Sequence, residues 1–265
     1  MINFYYPGKD FPSISITGDA CALSCPHCEK RFLRGMTHIS DAEELYKFAC
    51  ELEKSGGKGF LLSGGCNEQG MVPIKDYCNA LSLIKDNTSL ELNIHTGLPD
   101  RDLVKRLSEI DVDVVSYDMI GSEETIKMIY GLDVSPLEYK NGYKALKESG
   151  IKVVPHITVG LNAGKLKGEF KAIDMIDDGS KIVLNTLIPT YFGDSVKKKD
   201  LLSVIDYISP DTEIIIGCMR ERGRNELEIE SLKRGVEGIV LPSKKTERWA
   251  KRKFEVKRTN KCCVF

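Results

Sequence analysis

The chain of 265 residues has no surplus of charge, no long apolar run and no Pro/Ser-rich linker. Its 38 basic residues against 39 acidic ones leave no overall field to steer it to nucleic acid or to a membrane. No window approaches the roughly 18 apolar residues of a membrane span. Met1-Ile2-Asn3-Phe4 is not a basic segment followed by an apolar run, so no secretory leader is read and a cytoplasmic location is expected. The cytosol keeps thiols reduced, so the nine cysteines are expected as metal ligands, nucleophiles or small core residues and not as disulfides. With no linker, composition shift or short repeat, residues 1–252 read as one domain. Residues 253–265 show neither helical nor strand period and read as a tail. Lys251, Arg252, Lys253, Lys257, Arg258 and Lys261 crowd this end of the chain as a solvated surface segment.

What the chain does have is alternation. Short β-rich runs at 13–17, 59–62, 90–94, 112–116, 152–159, 181–187, 213–217 and 238–241 predict eight strands. Amphipathic patterns between them predict helices at 41–53, 74–85, 102–110, 123–130, 137–148, 169–176, 200–208, 225–234 and 244–252. The first of these carries Leu45, Phe48, Ala49 and Leu52 on one face, behind Ser40 as N-cap. Repeated β-then-α units over about 250 residues predict a parallel sheet closed into a (β/α)8 TIM-type barrel, with an open doubly wound sheet as the alternative. Barrel chemistry sits where strands end. Cys21 to Cys28 follow the first predicted strand, Ser63-Gly64-Gly65-Cys66 the second, His95-Thr96 the third and Asp118 the fourth. Gly160, Pro189-Thr190 and Cys218 follow the next three.

Cys21, Cys25 and Cys28 place three thiols on one loop, in the spacing CxxxCxxC. Thiolates are the usual ligands of iron–sulfur clusters; a cubane takes four ligands, so three from protein leave one iron open. A structural zinc closes with four, commonly as two pairs. His27, wedged between Cys25 and Cys28, is poorly placed to be that fourth ligand. This loop behind the first strand of a β/α barrel resembles the radical S-adenosylmethionine superfamily. The resemblance implies a [4Fe–4S] cluster on the three cysteines whose open iron chelates S-adenosylmethionine. It also implies one-electron cleavage to a 5′-deoxyadenosyl radical that takes hydrogen from an unactivated carbon. Ser63-Gly64-Gly65 resembles the family's turn for the methionine amino group, with Cys66 where glutamate is frequent. His156-Ile157-Thr158-Val159-Gly160-Leu161 with Glu169 resembles its fifth-strand segment supporting adenine. Asn93, His95 and Asp118 are candidates for the ribose hydroxyls. For His95 and Asp118, loop capping or substrate contact is the competing role, and His156 is read as satisfying a backbone group.

Of the other cysteines, Cys78 falls on the apolar stripe Ile74, Tyr77, Leu81 and Ile84, and Cys50 on a similar helix, so both are expected in the core. Cys66 and Cys218 follow strands, and Cys262-Cys263 end a tail expected to fold toward the barrel mouth. These four thiols suit an auxiliary cluster, any three of them sufficing. The alternative is two incidental thiols and a reactive pair. The ending Cys262-Cys263-Val264-Phe265 also has the form of a prenylation box, with nothing else in the sequence pointing to a membrane.

Residues 216–223 and the stretch after them resemble the end of biotin synthase-like proteins. The whole chain resembles small archaeal homologues, to which subunits of a two-protein lipoyl synthase belong. That implies sulfur insertion into an octanoyl chain on a carrier protein, a second radical subunit as partner, and a reductant such as ferredoxin. Arg220, Arg222 and Arg224 are then candidates to anchor an anion or the partner, or are solvated. Two alternatives stand beside this reading. One is a radical cofactor-biosynthesis enzyme without sulfur donation, acting by methylation or rearrangement. The other is a zinc-binding barrel without catalysis.

Overall fold

The computed structural model describes residues 1–177 and 179–265. The strands are β1 (Ile2–Tyr5), β2 (Ser13–Ser15), β3 (Thr37–His38), β4 (Gly59–Ser63), β5 (Glu91–His95), β6 (Val114–Asp118), β7 (Val153–Val159), β8 (Ile182–Thr186), β9 (Ile214–Ile216), β10 (Gly238–Val240) and β11 (Val256–Thr259). They form one parallel sheet in the order β11-β1-β10-β9-β8-β7-β6-β5-β4-β2-β3. The helices are α1 (Ala42–Lys54), α2 (Cys78–Asn87), α3 (Arg101–Ile110), α4 (Glu123–Tyr130), α5 (Pro136–Glu148), α6 (Glu169–Ile173), α7 (Lys198–Tyr207), α8 (Asn225–Lys233) and α9 (Lys244–Ala250). This is the expected TIM-type α/β architecture, with all eight predicted strands present as β2 and β4 to β10. Backbone pairing leaves β3 and β11 as edges, so the wall is curled but its ladder stays open among the described residues. No helix among them is long and apolar enough to cross a membrane.

Inward and outward positions alternate with the strand period. Val115, Leu184 and Ile216 join the core between sheet and helices. Their neighbours Val114, Val183 and Ile215 meet Val154, Val240 and Tyr5 in a separate apolar layer inside the barrel. The helices start at polar caps. Asp41 caps α1 through the Glu44 N–H at 2.8 Å, one residue later than the predicted Ser40, whose own N–H and hydroxyl are held by the Glu44 carboxylate. Ser135 and Glu138 form a capping box ahead of Pro136 in α5.

The tail is the main correction. Residues 256–259 are a strand, hydrogen-bonded parallel to β1, and not aperiodic chain. Its two middle side chains are exposed and its two end ones half-buried, so no alternating pattern marks it; Lys257 and Arg258 put charge on an edge, which discourages further pairing. Beyond it the chain does turn into the barrel, but by the end opposite the mouth. Cys263 and Val264 are buried in the inner apolar layer. Lys152 and Lys181, which precede β7 and β8, donate to the main-chain oxygens of Val264 (3.1 Å) and Phe265 (3.3 Å). Lys261 pairs with Glu91 at the start of β5 (2.5 Å), and Phe265 packs on Phe11 with ring centroids 5.5 Å apart. The segment therefore spans from β11 to the β2–β5 side and bridges the gap that the ladder leaves.

Candidate active site

After β2 the chain turns through Thr17, whose hydroxyl donates to the Ala20 oxygen (2.9 Å) and accepts the Gly65 N–H (2.7 Å). This stitches the cysteine loop to the turn after β4. A β-carbon at Gly65 would lie 1.9 Å from the Ala20 oxygen and 2.6 Å from the Cys21 β-carbon, so only glycine permits the approach. Cys66 N–H donates to Cys21 Sγ (3.3 Å), and Ala22 N–H to the Cys66 oxygen (2.8 Å). The N–H groups of Cys28 and Glu29 both reach the Cys25 oxygen, curling the loop; Arg31 fixes the curl by donating to the His27 oxygen (3.1 Å).

The three loop thiols line a cavity of about 170 Å³ with Cys66, Gly64, Gly65, His95, Asp118, Tyr130 and Tyr139. Burial, reinforced by the neighbouring cysteines, pushes the Cys25 and Cys66 thiols up to about 12; burial also raises Cys28. Burial pushes His27 down to about 4, so its imidazole is neutral, edge-on to Tyr130. Among the described residues no three His, Cys, Asp or Glu side chains converge to hold a single ion. The donor chemistry, the shared cavity and the side-chain-free turn at Gly64-Gly65 nonetheless suit a cluster with a chelated ligand. The N–H donated to Cys21 Sγ is also the kind of bond that tunes such a cluster.

Ser63, His95 and Asp118, at the ends of β4, β5 and β6, form one hydrogen-bonded chain. His95 Nε2 meets Asp118 Oδ2 at 3.2 Å and Nδ1 meets Ser63 Oγ at 3.3 Å. Burial disfavours charge on both groups, but their mutual bond outweighs it: Asp118 is held below its ordinary range and His95 above. Asn93 lies deeper. Its Oδ1 accepts from Ser116 Oγ (2.9 Å) and its Nδ2 donates to Cys262 Sγ (3.5 Å). Gly160 lines neither this cavity nor the lumen described below. Its N–H goes to Glu169 Oε1 (2.8 Å), and burial raises that carboxyl. His156 Nδ1 bonds the Val154 oxygen (2.9 Å), the structural role expected for it.

A second cavity, of about 470 Å³, runs down the lumen. It shares His27, Leu33, Gly64, His95, Asp118 and Tyr130 with the first and reaches Cys218, Cys262 and Cys263. The four thiols proposed for an auxiliary cluster are thus divided, Cys66 beside Cys21 and the other three around the lumen. Cys262 is lowered to about 7, first by its hydrogen bond with Cys263, while burial raises Cys218. The three arginines all bond within the chain, Arg220 buried, Arg224 half-buried and Arg222 exposed. Arg220 is buried, donating to the Gly217 and Val240 oxygens (2.7 Å each) and to Glu228 Oε1 (2.7 Å). Arg222 donates to the Cys218 and Leu241 oxygens, and Arg224 to the Val196 oxygen. Tyr130, Tyr139 and Asn185 are wall residues that the sequence reading missed. No spacing marks them, because helices and a distant strand deliver them.

A family model described as Radical SAM superfamily matches residues 15–164. Among solved structures the chain is similar to the FeFe-hydrogenase maturase HydG from Carboxydothermus hydrogenoformans (TM-score 0.61, 16% identity, 90% of this chain and 58% of that one). It is similar too to methylornithine synthase PylB (0.62, 14%, 90% and 71%). A third is anSMEcpe with bound AdoMet (0.55, 15%, 91% and 64%). The chain thus spans less than two thirds of HydG and of anSMEcpe. No curated protein sequence matches it.

Proposed function

The chain belongs to the Radical SAM superfamily, and on that premise we propose a radical enzyme that inserts sulfur at an unactivated carbon of a molecule held in the lumen. The family implies a [4Fe–4S] cluster and S-adenosylmethionine, which when bound supply the 5′-deoxyadenosyl radical that removes hydrogen. Cys21, Cys25 and Cys28 would hold that cluster, the Gly64-Gly65 backbone would receive the methionine end, and the Ser63–His95–Asp118 chain would offer polar partners beside it. The observation that carries the sulfur reading is the course of the lumen: one cavity leads from His95 and Asp118 to Cys218, Cys262 and Cys263. In this proposal those three thiols scaffold a second iron–sulfur cluster as sulfur source. A second radical subunit and a ferredoxin-type reductant remain proposed partners. An octanoyl chain, the substrate that the sequence resemblance implies, would leave Asn93, Ser116, Thr158 and Asn185 facing hydrocarbon. A small, more polar substrate fits that wall better.

Anaerobic reconstitution tests the proposal. About eight irons per chain are expected, falling to about four in Cys262→Ser/Cys263→Ser, because each cubane brings four. About four in the wild type, or no fall in the variant, ends the sulfur-insertion reading. Release of 5′-deoxyadenosine on reduction tests the radical step separately.

A further inference from the structure

We propose that the substrate presents an uncharged, amide-type group to the lumen, received by Asn185 and His156 beside Asn93, Ser116 and Thr158. The proposal deepens the radical-enzyme reading and rests on it for what the cavity is. Inside a β/α barrel, inward positions are ordinarily filled by branched apolar side chains. The lowest inner layer here obeys that rule with Val114, Val154, Val183 and Ile215. Two residues further along the same strands stand Ser116, His156, Asn185 and Gly217, with Asn93 beside them on β5. The layer above the apolar one is therefore polar, and it faces open space.

This layer has capacity to spare. Ser116 and Asn93 satisfy one another. Asn185, only 7% exposed, has an Oδ1 without a partner. That oxygen packs over Gly217, where a β-carbon would lie 2.1 Å from it, so the glycine makes room for the carboxamide. A buried carboxamide left unpaired is costly, and rotation about its soft terminal torsion turns it to a ligand. His156 Nδ1 faces a carbonyl, which only accepts, so that nitrogen carries the proton. Burial pushes the imidazole's pKa down, so Nε2 is left as an acceptor. Asn185 Nδ2 and the Thr158 hydroxyl are donors by type.

The layer also lacks fixed charge. Among the described residues the cavity is lined by no Lys, Arg or Glu, and its one carboxylate, Asp118, is bonded to His95. Lys152 and Lys181 are turned onto the tail. A carboxylate held here would be a desolvated charge without a counter-ion, and an ammonium would meet only Asp118, already paired with His95, and Cys262, already bonded to Asn93 and Cys263. A group with one N–H to give and one C=O to accept meets acceptors and donors alike, without charge.

Equilibrium dialysis of the reconstituted full chain with hexanamide, hexanoate and hexylammonium tests this directly. The chain length is common and only the head group changes. Hexanamide should bind the wild type at least tenfold more tightly than either ion, with or without saturating S-adenosylmethionine. Asn185→Leu should lose that binding by tenfold or more. Asn185→Asp, which keeps the shape, should shift the preference to hexylammonium and so shows a folded site. Equal binding of an ion by the wild type overturns the proposal. So does displacement of hexanamide by S-adenosylmethionine, which would assign the layer to the cofactor, or an unchanged preference in Asn185→Asp. Iron content enters none of these readings, so this proposal and the sulfur-insertion proposal fail independently.

Discussion

At the scale of the residue, Asp118 and His95 titrate as partners. Asp118 has its folded pKa depressed, so it stabilises the fold above the ordinary carboxylate value and that contribution is lost as the pH falls. His95 has its folded pKa raised, so its contribution is complete below the ordinary imidazole value and is lost as the pH rises through the folded one. The stability difference between wild type and Asp118→Asn, measured by denaturant unfolding, should be largest between about pH 4.5 and 6.5 and shrink on both sides. Arg220 and Glu228 make a different kind of pair. Both are nine-tenths buried, and Glu228 Oε2 also accepts from Ser243 N–H (2.9 Å) and Thr246 Oγ1 (2.6 Å). Arg220→Met alone should cost about 3–5 kcal/mol in denaturant melts, since a buried carboxylate loses its counter-ion. Arg220→Met with Glu228→Leu should lie closer to the wild type than either single change.

At the scale of the element, the tail illustrates what sequence conveys and what it hides. The strands β4 to β10 were legible because their apolar runs are buried on both faces, and the cysteine loop because spacing alone describes it. Ser63, Gly64, Gly65, His95 and Asp118 were legible as candidates because strand ends in such a barrel share one rim; the structure brings Gly64, Gly65, His95 and Asp118 to one cavity and Ser63 to the adjoining lumen. β3 and β11 were not legible, lying at the edges, where packing on one side only leaves no periodic signal; β1 was missed although Ile2, Phe4 and Tyr5 are buried. Nor does any pattern in Cys262-Cys263-Val264-Phe265 say from which end a tail enters; that is set by distant partners, Lys152, Lys181 and Phe11. Val264 is fully buried among the inner valines, so Val264→Ala should destabilise the protein by about 1.6 kcal/mol, two carbons at about 0.8 each. The same change should speed amide exchange in β11 more than in β7, if the tail anchors that strand.

At the scale of the whole molecule, the near-balance of charge gives no long-range attraction for any ligand, so selection falls to the mouth and the lumen wall. The lumen has three levels. Cysteines and the His95–Asp118 pair stand at the mouth, the hydrogen-bonding layer lies below them, and the plugged apolar layer closes the bottom.

That plug makes the lumen a blind alley. Whatever reaches the lower levels must enter and leave through the mouth, where His95 and Asp118 are shared with the cavity in which S-adenosylmethionine would sit. Traffic in a dead-end passage is last in, first out. Steady-state kinetics should accordingly be ordered, the deep ligand loading before S-adenosylmethionine and the finished molecule leaving after methionine and 5′-deoxyadenosine. Product-inhibition patterns would report this directly: competition between finished product and substrate for free enzyme is expected, and a random-order pattern would show a second door.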